Sequence, residues 1–453
     1  MPEQIDLSPN PKSHIKTLSR IGYNLNSAIS DIIDNSITAK SKNIYTEIDI
    51  VNDKAVLIII DDGYGMDAGT LIKSMRIGCK DPSEIRSDFD LGRFGSGLKM
   101  ASFSQARKLT VISKNACSQA QSAIWDLDLV EQENSWTIIK LSETETNDLC
   151  KQFKIQLGEQ GTAVIWEEIE KYAEYPNTEL ETILSQDLTN LKNYVRLHFH
   201  KFMEGKQAIN FYFNYQKLEY FDPFLRSCNG YQEGPSQKFR VKKGGSIELR
   251  VHIIPHESKL SKTDLEYLGG TDQITANQGL YVYRANRLII SGGWSGLTRL
   301  SQLGKLARVE VNVPSSLDEE WSTDVKKSSL EIPHKVKFKL KQLIRDPIKR
   351  SRKAYRYRGR IEEANAFWKI NENERDKTIS YEISKTNNSL NHLLALLNKE
   401  QASTLIKYLK DLSSGIPINH IYEKMSSEPN KINQNDICYQ DLFEGLKDLW
   451  NKP

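Results

Sequence analysis

The sequence predicts an α/β protein with a first domain at residues 1–175, a second α/β domain at 190–345, and a basic linker and helical region at 346–453. Three observations support this division. A helical pattern at 15–41 is followed directly by two strand-like runs, and strands alternate with helical stretches again in the second domain. Beyond that domain the chain becomes first basic and then helical and charged. A length of 453 residues fits two or three domains.

Composition narrows the class of protein. With 38% hydrophobic and 27% charged residues the chain is an ordinary globular protein, and a net charge of +3 does not indicate a partner. No apolar run approaches the ~20 residues of a membrane span, and the first residues lack the apolar region of a signal peptide. The five cysteines are far apart without a C-x-x-C motif. We therefore expect a cytoplasmic protein with no disulfides, zinc site or membrane segment.

The predicted helix at 15–41 has two different sides. One side gathers Ile21, Leu25, Ile29, Ile32 and Ile33, and the other gathers Asn24, Ser27, Asp31, Asp34, Asn35 and Thr38. Asp31 and Asn35 are four residues apart, so a carboxylate and an amide point into the same space. Short polar side chains without Lys, Arg or Glu are poor helix formers on a solvated face. The pattern favours positioning of a metal and water, and the alternative is an ordinary solvent-exposed face.

Two strand-like runs, 44–51 and 54–60, lead into the segment DDGYGM at 61–66. A carboxylate at the end of a buried strand is a fixed acceptor, which suits an exocyclic amine such as that of adenine. Gly63 and Gly65 would allow the backbone to approach a flat ligand closely. The alternative is a plain turn, because D-x-G-x-G by itself is a short motif.

A glycine-rich segment, LGRFGSGLK at 91–99, follows a polar stretch at 67–90 that we expect to form a flap. Glycine-rich turns before a helix offer backbone N–H groups to phosphate oxygens. The spacing is not that of a Walker A loop. The alternative is a structural glycine hinge. Further on, Gly161 and Thr162 open a strand, and Thr162 is placed to hydrogen-bond a base or a water held by Asp61.

Four segments now stand in order: DIIDNS at 31–36, DDGYGM at 61–66, LGRFGSGLK at 91–99 and GT at 161–162. This order and spacing resembles the GHKL superfamily of ATPases (gyrase, heat-shock chaperone, histidine kinase, MutL), in the motif style of MORC-like and MutL-like bacterial members. The resemblance covers about residues 15–170. It implies a GHKL (Bergerat) α/β sandwich that binds ATP and Mg²⁺ under a glycine-rich lid.

The resemblance also implies roles for individual residues. Asn35 would bind Mg²⁺, Asp61 would read adenine, and Thr162 would share in that recognition. The other nucleotide contacts that it implies are Gly63, Gly65, Met66, Gly92, Gly95, Ser96, Gly97, Leu98 and Lys99.

The candidate catalytic base departs from the family pattern. Asp31 occupies the position of the glutamate that activates water in MutL, gyrase and MORC relatives. Aspartate is one methylene shorter, and a displacement of about 1 Å can cost ~10²-fold in rate. Either the helix lies closer to the nucleotide or hydrolysis is slow. Asp34 is the alternative base, although it is more consistent with the outer shell of the metal or the helix surface.

The same resemblance implies that the second domain is a transducer of ribosomal-protein-S5-like α/β fold, which sends a loop lysine to the γ-phosphate. Lys327 is the candidate and Lys326 its alternate. A fixed cation there would stabilise charge on the transferred phosphoryl group. The alternative is a pair of surface lysines. Within this domain, alternation in 279–291 predicts two strands joined by a hairpin turn at Arg284–Arg287.

The segment 345–360 carries eight basic residues interleaved with Tyr355 and Tyr357. Such composition suits DNA binding, and the alternatives are a solvated linker or a surface for an acidic partner. Together these features predict an ATP hydrolase that acts as a nucleotide-driven clamp or switch, as an ATP-dependent homodimer on DNA, in antiviral defence or DNA maintenance. One alternative is an ATP-sensing module that signals to a partner effector protein with little hydrolysis. Another is a chaperone-like ATPase.

Overall fold

The computed structural model describes residues 9–20, 22–78, 97–240, 245–301, 304–314, 332–333, 336–342, 344, 367–373, 378–418 and 421. The chain divides into two compact units, Met1–Ser351 and Arg352–Pro453.

An eight-stranded sheet is the centre of the first part of the larger unit. Its strands are β1 (Asn43–Val51), β2 (Lys54–Asp61), β3 (Ala106–Lys114), β4 (Gln121–Asp126), β5 (Ile139–Lys140), β6 (Gly161–Ile169), β7 (Asn210–Phe213) and β8 (Gln216–Lys217). They lie in the order β5-β4-β3-β6-β2-β1-β7-β8, and only β1 and β7 pair in parallel. The two strands at one edge come from beyond residue 190, in the range predicted as the second domain.

The helices described in this part of the chain cover the sheet. They are α1 (Pro11–Ser19), α2 (Leu25–Thr38), α3 (Ala68–Met75), α4 (Gly97–Phe103), α5 (Leu127–Glu133), α6 (Glu143–Gln152), α7 (Asn177–His198) and α8 (His200–Met203). The prediction of a single helix at 15–41 was wrong. Helix α1 ends at Ser19, and a capping box at Asn24 starts α2 as a separate helix. Within the described ranges, every helix is too short or too polar to serve as a transmembrane span.

Strand β2 shows why this layered arrangement follows from the sequence. Leu57 and Ile59 belong to the larger core, which also contains isoleucines of α2. Val56 and Ile58 belong to a smaller core on the opposite face. Because successive strand residues point to opposite faces, a strand that is covered on both sides must be apolar throughout. The uninterrupted apolar run before Asp61 is thus a central strand buried on both faces.

A second, five-stranded sheet lies in the same unit. Its strands are β9 (Gln232–Arg240), β10 (Ser246–Ile253), β11 (Gly279–Arg284), β12 (Arg287–Ser291) and β13 (Ala307–Val313), in the order β12-β11-β13-β10-β9. Helices α9 (Lys262–Tyr267) and α10 (Thr271–Ala276) connect β10 to β11. The predicted hairpin is confirmed, since Arg284 pairs with Arg287 across a two-residue turn. Both turn residues, Ala285 and Asn286, have positive φ, as the commonest tight hairpin turn requires.

The sequence analysis expected a helical C-terminal region, but the C-terminal unit also contains two strands. It contains a hairpin of β14 (Trp368–Asn373) and β15 (Thr378–Ile383), followed by α11 (Asn388–Leu396) and α12 (Lys399–Ser414). In β15, Ile379, Tyr381 and Ile383 alternate with polar residues, which is the period of a strand. The high charge of the surrounding segment obscured this short pattern.

Candidate functional site

Helix α2 contributes Asp31, Asp34 and Asn35 to the candidate site. It begins with a capping box in which the Asn24 side chain accepts from the Ser27 N–H at 2.8 Å and the Ser27 hydroxyl accepts from the Asn24 N–H at 3.2 Å. On its polar side, Asn35 is exposed, whereas Asp31 and Asp34 are only 2% and 0% exposed. The polar side is therefore largely covered by other parts of the protein. The expectation that Asp34 might face the helix surface was wrong.

Asp61 ends β2 as a buried carboxylate held by neutral donors. Its Oδ1 accepts from the Gly63 N–H at 2.9 Å and from the Ser41 hydroxyl at 3.1 Å, and its Oδ2 accepts from the Ser36 hydroxyl at 2.9 Å. Burial raises the pKa of Asp61, and these hydrogen bonds oppose that rise. The two serines were missed in the sequence analysis, because Ser36 was quoted within DIIDNS without a role and Ser41 belongs to no quoted motif. Their spacing after Asp31 carried no signal that they would meet Asp61.

Gly63 and Gly65 are required by the packing of the protein itself, whereas the sequence analysis explained them by close approach to a ligand. A Cβ on Gly63 would lie 2.6 Å from the Cβ of Ala39, at the end of α2. Gly65 has a φ of +63°, and a Cβ there would lie 1.8 Å from the carbonyl oxygen of Lys114. No larger residue fits either position. Their contact with a nucleotide stays a prediction.

Thr162 lies beside Asp61 on the neighbouring strand. The register of β2 and β6 pairs these two residues directly. The Thr162 hydroxyl is 2.8 Å from the Ser113 hydroxyl oxygen, which also accepts from the Met66 N–H at 2.9 Å. The structure thus brings Thr162 next to Asp61 and Met66 of the distant DDGYGM segment, and Ser113, which the sequence analysis did not identify, contacts both Thr162 and Met66.

Asp31 lies next to the helix that follows the glycine-rich segment. Its Oδ2 accepts from the Tyr23 hydroxyl at 2.9 Å. The first residue of α4, Gly97, is so close that a Cβ there would lie 3.6 Å from the same oxygen. The order of the segments along the chain did not show this contact. It places the candidate base against the end of the predicted lid.

Arg287, which the sequence analysis named only as the end of a hairpin turn, contacts the candidate site. It begins β12 in the second sheet, is 2% exposed, and pairs through Nη1 with Oδ2 of Asp34. The same nitrogen is 3.5 Å from Oδ1 of Asp31. Burial by itself lowers the pKa of Arg287, but the two carboxylates more than reverse this and hold it above its usual value. The feature of the sequence that could have indicated this contact is an arginine at the start of an apolar strand, Arg287-Leu288-Ile289-Ile290.

Lys99 is buried beside α3. Only 2% of the residue is exposed, and its ammonium donates to the Ser74 carbonyl oxygen at 2.7 Å. This carbonyl lies in the last turn of α3. Leu98, its neighbour, packs against the larger core. Binding of a phosphate by Lys99 stays a prediction, and the ammonium has further N–H donors for it besides the one that Ser74 accepts.

Several predicted residues lie outside the described residues. They are Gly92, Gly95 and Ser96 of the glycine-rich segment, the lysines Lys326 and Lys327, and the basic segment 345–360.

The donor set at Asn35 fits a magnesium ion that is held mainly by its substrate. Among the described residues, no group of three or more His, Cys, Asp or Glu could hold a metal. Mg²⁺ commonly keeps several waters and takes only one or two protein oxygens together with phosphates. The exposed Asn35 amide, one turn from Asp31, provides one such oxygen.

The geometry above lies within a segment that matches known proteins. Residues 23–157 match the sequence profile of the family described as histidine kinase-, DNA gyrase B-, and HSP90-like ATPase. The match begins at Tyr23 and ends shortly before Thr162. It confirms the predicted resemblance for this segment.

Two curated relatives share part of the sequence. ATPase morc-1 of Caenorhabditis elegans is 27% identical over 108 residues, which are 24% of this chain and 11% of that protein. MORC family CW-type zinc finger protein 3 of Mus musculus is 29% identical over 91 residues, which are 20% of this chain and 10% of that protein. The matched stretch spans about a tenth of either relative, so the similarity concerns one domain.

Proposed function

We propose that this chain, whose residues 23–157 are an ATPase domain of the histidine kinase-, DNA gyrase B- and HSP90-like family, binds ATP with Mg²⁺ and hydrolyses it. The observation that carries the proposal is the environment of Asp61. An ionised carboxylate has about four acceptor sites, and the Asp61 carboxylate receives three hydrogen bonds from neutral groups of the protein. The single proton of the Ser41 hydroxyl is shared with the Ser36 carbonyl oxygen, so at least one acceptor site is left for the exocyclic amine of adenine.

The remaining nucleotide contacts follow from the placement of the neighbouring residues. The linked hydroxyls of Thr162 and Ser113, beside Asp61, give the purine ring further donors and acceptors. Asn35 provides an oxygen for Mg²⁺, which neutralises phosphate charge when it is bound. The triphosphate would then extend toward Gly97 at the start of α4. Gly63, Gly65, Met66, Gly92, Gly95, Ser96, Leu98 and Lys99 complete the proposed set of nucleotide contacts.

Asp31 is the proposed base for hydrolysis. A carboxylate near the phosphate end of the site can orient the attacking water and accept its proton. The hydrogen bond from Tyr23 restricts the rotation of this side chain. Lys327, or Lys326 in its place, would stabilise charge on the phosphoryl group. Because aspartate is shorter than the glutamate of relatives, we expect slow turnover.

The wider role that we propose is a nucleotide-driven clamp or switch. ATP would order the lid and close a homodimer, and hydrolysis would release it. The second five-stranded sheet would act as the transducer, and the basic segment 345–360 would contact DNA, in DNA maintenance or antiviral defence. Support for coupling between the two sheets comes from Arg287, which reaches α2 from the second sheet.

One observation favours a second candidate, an ATP sensor with little hydrolysis that signals to a partner effector. The proposed base is an aspartate whose two oxygens already contact Tyr23 and Arg287. A carboxylate with these partners is less available to a water molecule.

The test is calorimetry with ATP and Mg²⁺, together with turnover assays, on the parent protein and on Asp61→Asn and Asp31→Asn. We expect Asp61→Asn to bind ATP about 10- to 150-fold more weakly, because a hydrogen bond to a charged group is worth about 1.5–3 kcal/mol. Asp31→Asn should bind ATP like the parent protein and lose at least about 100-fold in turnover.

The outcomes separate the candidates. If the folded parent protein gives no heat with ATP and Mg²⁺, the proposal is wrong. Equal turnover by Asp31→Asn and the parent protein would mean that Asp31 is not the base. Turnover that rises when DNA is added supports the clamp, whereas turnover that stays very slow with and without DNA supports the sensor.

A further inference from the structure

Arg287 joins two parts of the chain that are distant in sequence. It lies 253 residues from Asp34, on the first residue of β12, and its side chain is almost fully buried. Helix α7 packs against both α2 and β12. The guanidinium lies 5.3 Å from the ring of Phe199, at the end of α7. The second sheet therefore delivers a cation into the layer between its own edge and the helix of the proposed site.

Among the residues that the structure describes, this cluster combines charges of both signs. Asp31 and Asp34 contribute two negative charges, and Arg287 contributes one positive charge. Asp34 alone would satisfy the charge of the arginine, because its contact with Nη1 is the closer one. A purely structural ion pair would not need the second contact to Asp31. A carboxylate that is held at both oxygens has one orientation, and this is what a base that must align a water requires.

We infer that Arg287 is a positioning residue for Asp31, so that hydrolysis depends on the β11–β12 hairpin lying against α2. The inference rests on the proposed function and adds a specific residue and a route of coupling to it. Tyr23 holds Oδ2 of Asp31 from the first domain, and Arg287 approaches Oδ1 from the second sheet. When the hairpin moves away, Asp31 loses its contact with Arg287 and the constraint that this contact places on its orientation. ATP binding at Asp61 does not involve this contact.

The test compares kcat and KM for ATP in two conservative variants. Arg287→Lys keeps the charge but loses the planar fork of the guanidinium. Arg308→Lys is the matched control: Arg308 is a fully buried arginine of β13 that contacts the Pro223 carbonyl and lies 5.3 Å from the ring of Tyr281. We expect Arg287→Lys to lower kcat at least about 10-fold with KM unchanged, and Arg308→Lys to leave both at the parent values.

A second variant tests the same contact with a charge-conserving change, in case Arg287→Lys does not fold. The double substitution Asp34→Asn with Arg287→Gln removes one charge of each sign, so the net charge of the protein is unchanged, and Asp34→Asn alone is its reference. The double variant should fold and bind ATP with Mg²⁺ in calorimetry like the reference, while its kcat falls at least about 10-fold below that of the reference, because Asp31 has lost its arginine contact.

The results distinguish this inference from the proposed function. If the parent protein neither binds nor hydrolyses ATP, the proposed function fails and the inference fails with it. If the parent protein hydrolyses ATP and both Arg287 variants keep its kcat, only the positioning role is overturned. A rise in KM at constant kcat, or an increase in kcat, would also overturn it, because the arginine would then act on binding or as an inhibitor.

Discussion

The three buried carboxylates of the site differ in the groups that surround them. Asp61 receives its hydrogen bonds from two hydroxyls and one backbone N–H. Asp31 and Asp34 share the guanidinium of Arg287. A buried charge must be matched by hydrogen bonds or by an opposite charge. Neutral donors leave Asp61 able to accept from a neutral ligand group, whereas the second pair forms a charge cluster. This difference supports separate tasks in base recognition and in hydrolysis.

Removal of the Ser36 hydroxyl tests the first of these environments. In Ser36→Ala, Oδ2 of Asp61 loses its donor at 2.9 Å, and the carboxylate is held less firmly. We expect ATP affinity to fall about 10-fold, because a hydrogen bond to a charged group contributes on the order of 1.5 kcal/mol. Calorimetry with ATP and Mg²⁺ measures this change.

Ser30→Ala is the control for that substitution. Ser30 lies on the same helix, is fully buried, and donates only to the Asn26 carbonyl of its own helix at 2.8 Å. Its replacement should leave ATP affinity unchanged. If both alanine variants bind ATP equally well, Ser36 has no part in holding Asp61 for the nucleotide.

At the scale of elements, α2 connects three functions because successive residues point about 100° apart. Asp34 faces the second sheet, Asn35 is exposed, and Ser36 contacts Asp61 at the end of β2. A rotation or shift of this one helix would move all three side chains together. The helix thus provides a rigid link between the proposed nucleotide site and the second sheet.

The corner after β2 is the element whose shape the sequence constrains most tightly, and Gly65→Ala tests it. The new Cβ would overlap the Lys114 carbonyl oxygen, and the φ of +63° is unfavourable for alanine. We expect a loss of about 3 kcal/mol or more in the free energy of unfolding, together with loss of ATP binding, since β2, β3 and Asp61 would be displaced. Thermal unfolding and calorimetry measure the two effects.

The matched substitution is Gly69→Ala in α3. There the nearest heavy atom to a new Cβ is 3.6 Å away, at the Asp67 carboxylate, and alanine favours a helix. Stability should therefore be unchanged or slightly higher. Equal stability of the two variants would show that the close approach at Gly65 does not constrain the fold.

At the scale of the whole larger unit, a second buried contact joins its two sheets. Lys201 lies on α8, whose Met203 belongs to the core of the first sheet, and its ammonium pairs with Glu310 on β13. Lys201 also donates to Oδ1 of Asn312 at 2.8 Å, and the second oxygen of Glu310 is 3.0 Å from Nε2 of His252. Together with Arg287, this network fixes the second sheet to the first at two places.

The pKa of Glu310 indicates how the network responds to acid. Burial would raise the pKa of this carboxyl, but His252 and Lys201 together lower it below the usual 4.5. Burial lowers the pKa of Lys201, and the charge of Glu310 only partly offsets this effect. The ion pair therefore contributes less to the stability of the fold than the lowered pKa of Glu310 by itself would indicate. As pH falls below about 4.5, the unfolded state binds the proton first. The contribution of Glu310 is therefore present at neutral pH and is lost in acid.

Glu310→Gln tests this response. At neutral pH the substitution leaves Lys201 buried without its counter-charge, and we expect a loss of about 3 kcal/mol in the free energy of unfolding. The difference from the parent protein should begin to narrow as pH falls below about 4.5 and keep narrowing at more acid pH, because the parent protein then loses the same contribution. Denaturation at several pH values measures both.

Glu248→Gln on β10 is the control. Glu248 is partly exposed and lies 3.8 Å from Lys238 and 3.6 Å from Arg250, so its replacement should cost less than about 1 kcal/mol. A constant difference between Glu310→Gln and the parent protein across the whole pH range would contradict the role given to Glu310.

The sequence by itself determined the local features of the site. The apolar run of β2 ending at Asp61, the turn at Arg284–Arg287 and the helical polar face with Asp31 are set by residues close together in the chain. Periodicity and turn chemistry report such features directly. The same reasoning failed where a local signal was weak, as in the strand β15, whose alternation is short and surrounded by charge.

Only the tertiary structure decided which distant groups meet. The pairing of Arg287 with Asp34 joins residues 253 positions apart, and Ser36 reaches Asp61 only because α2 packs beside the end of β2. A contact of this kind depends on how whole elements pack. In the sequence, a single arginine or serine is compatible with many different positions and partners. For this reason the family resemblance of residues 23–157 could be recognised from the chain, whereas the charge cluster that connects α2 to the second sheet could not.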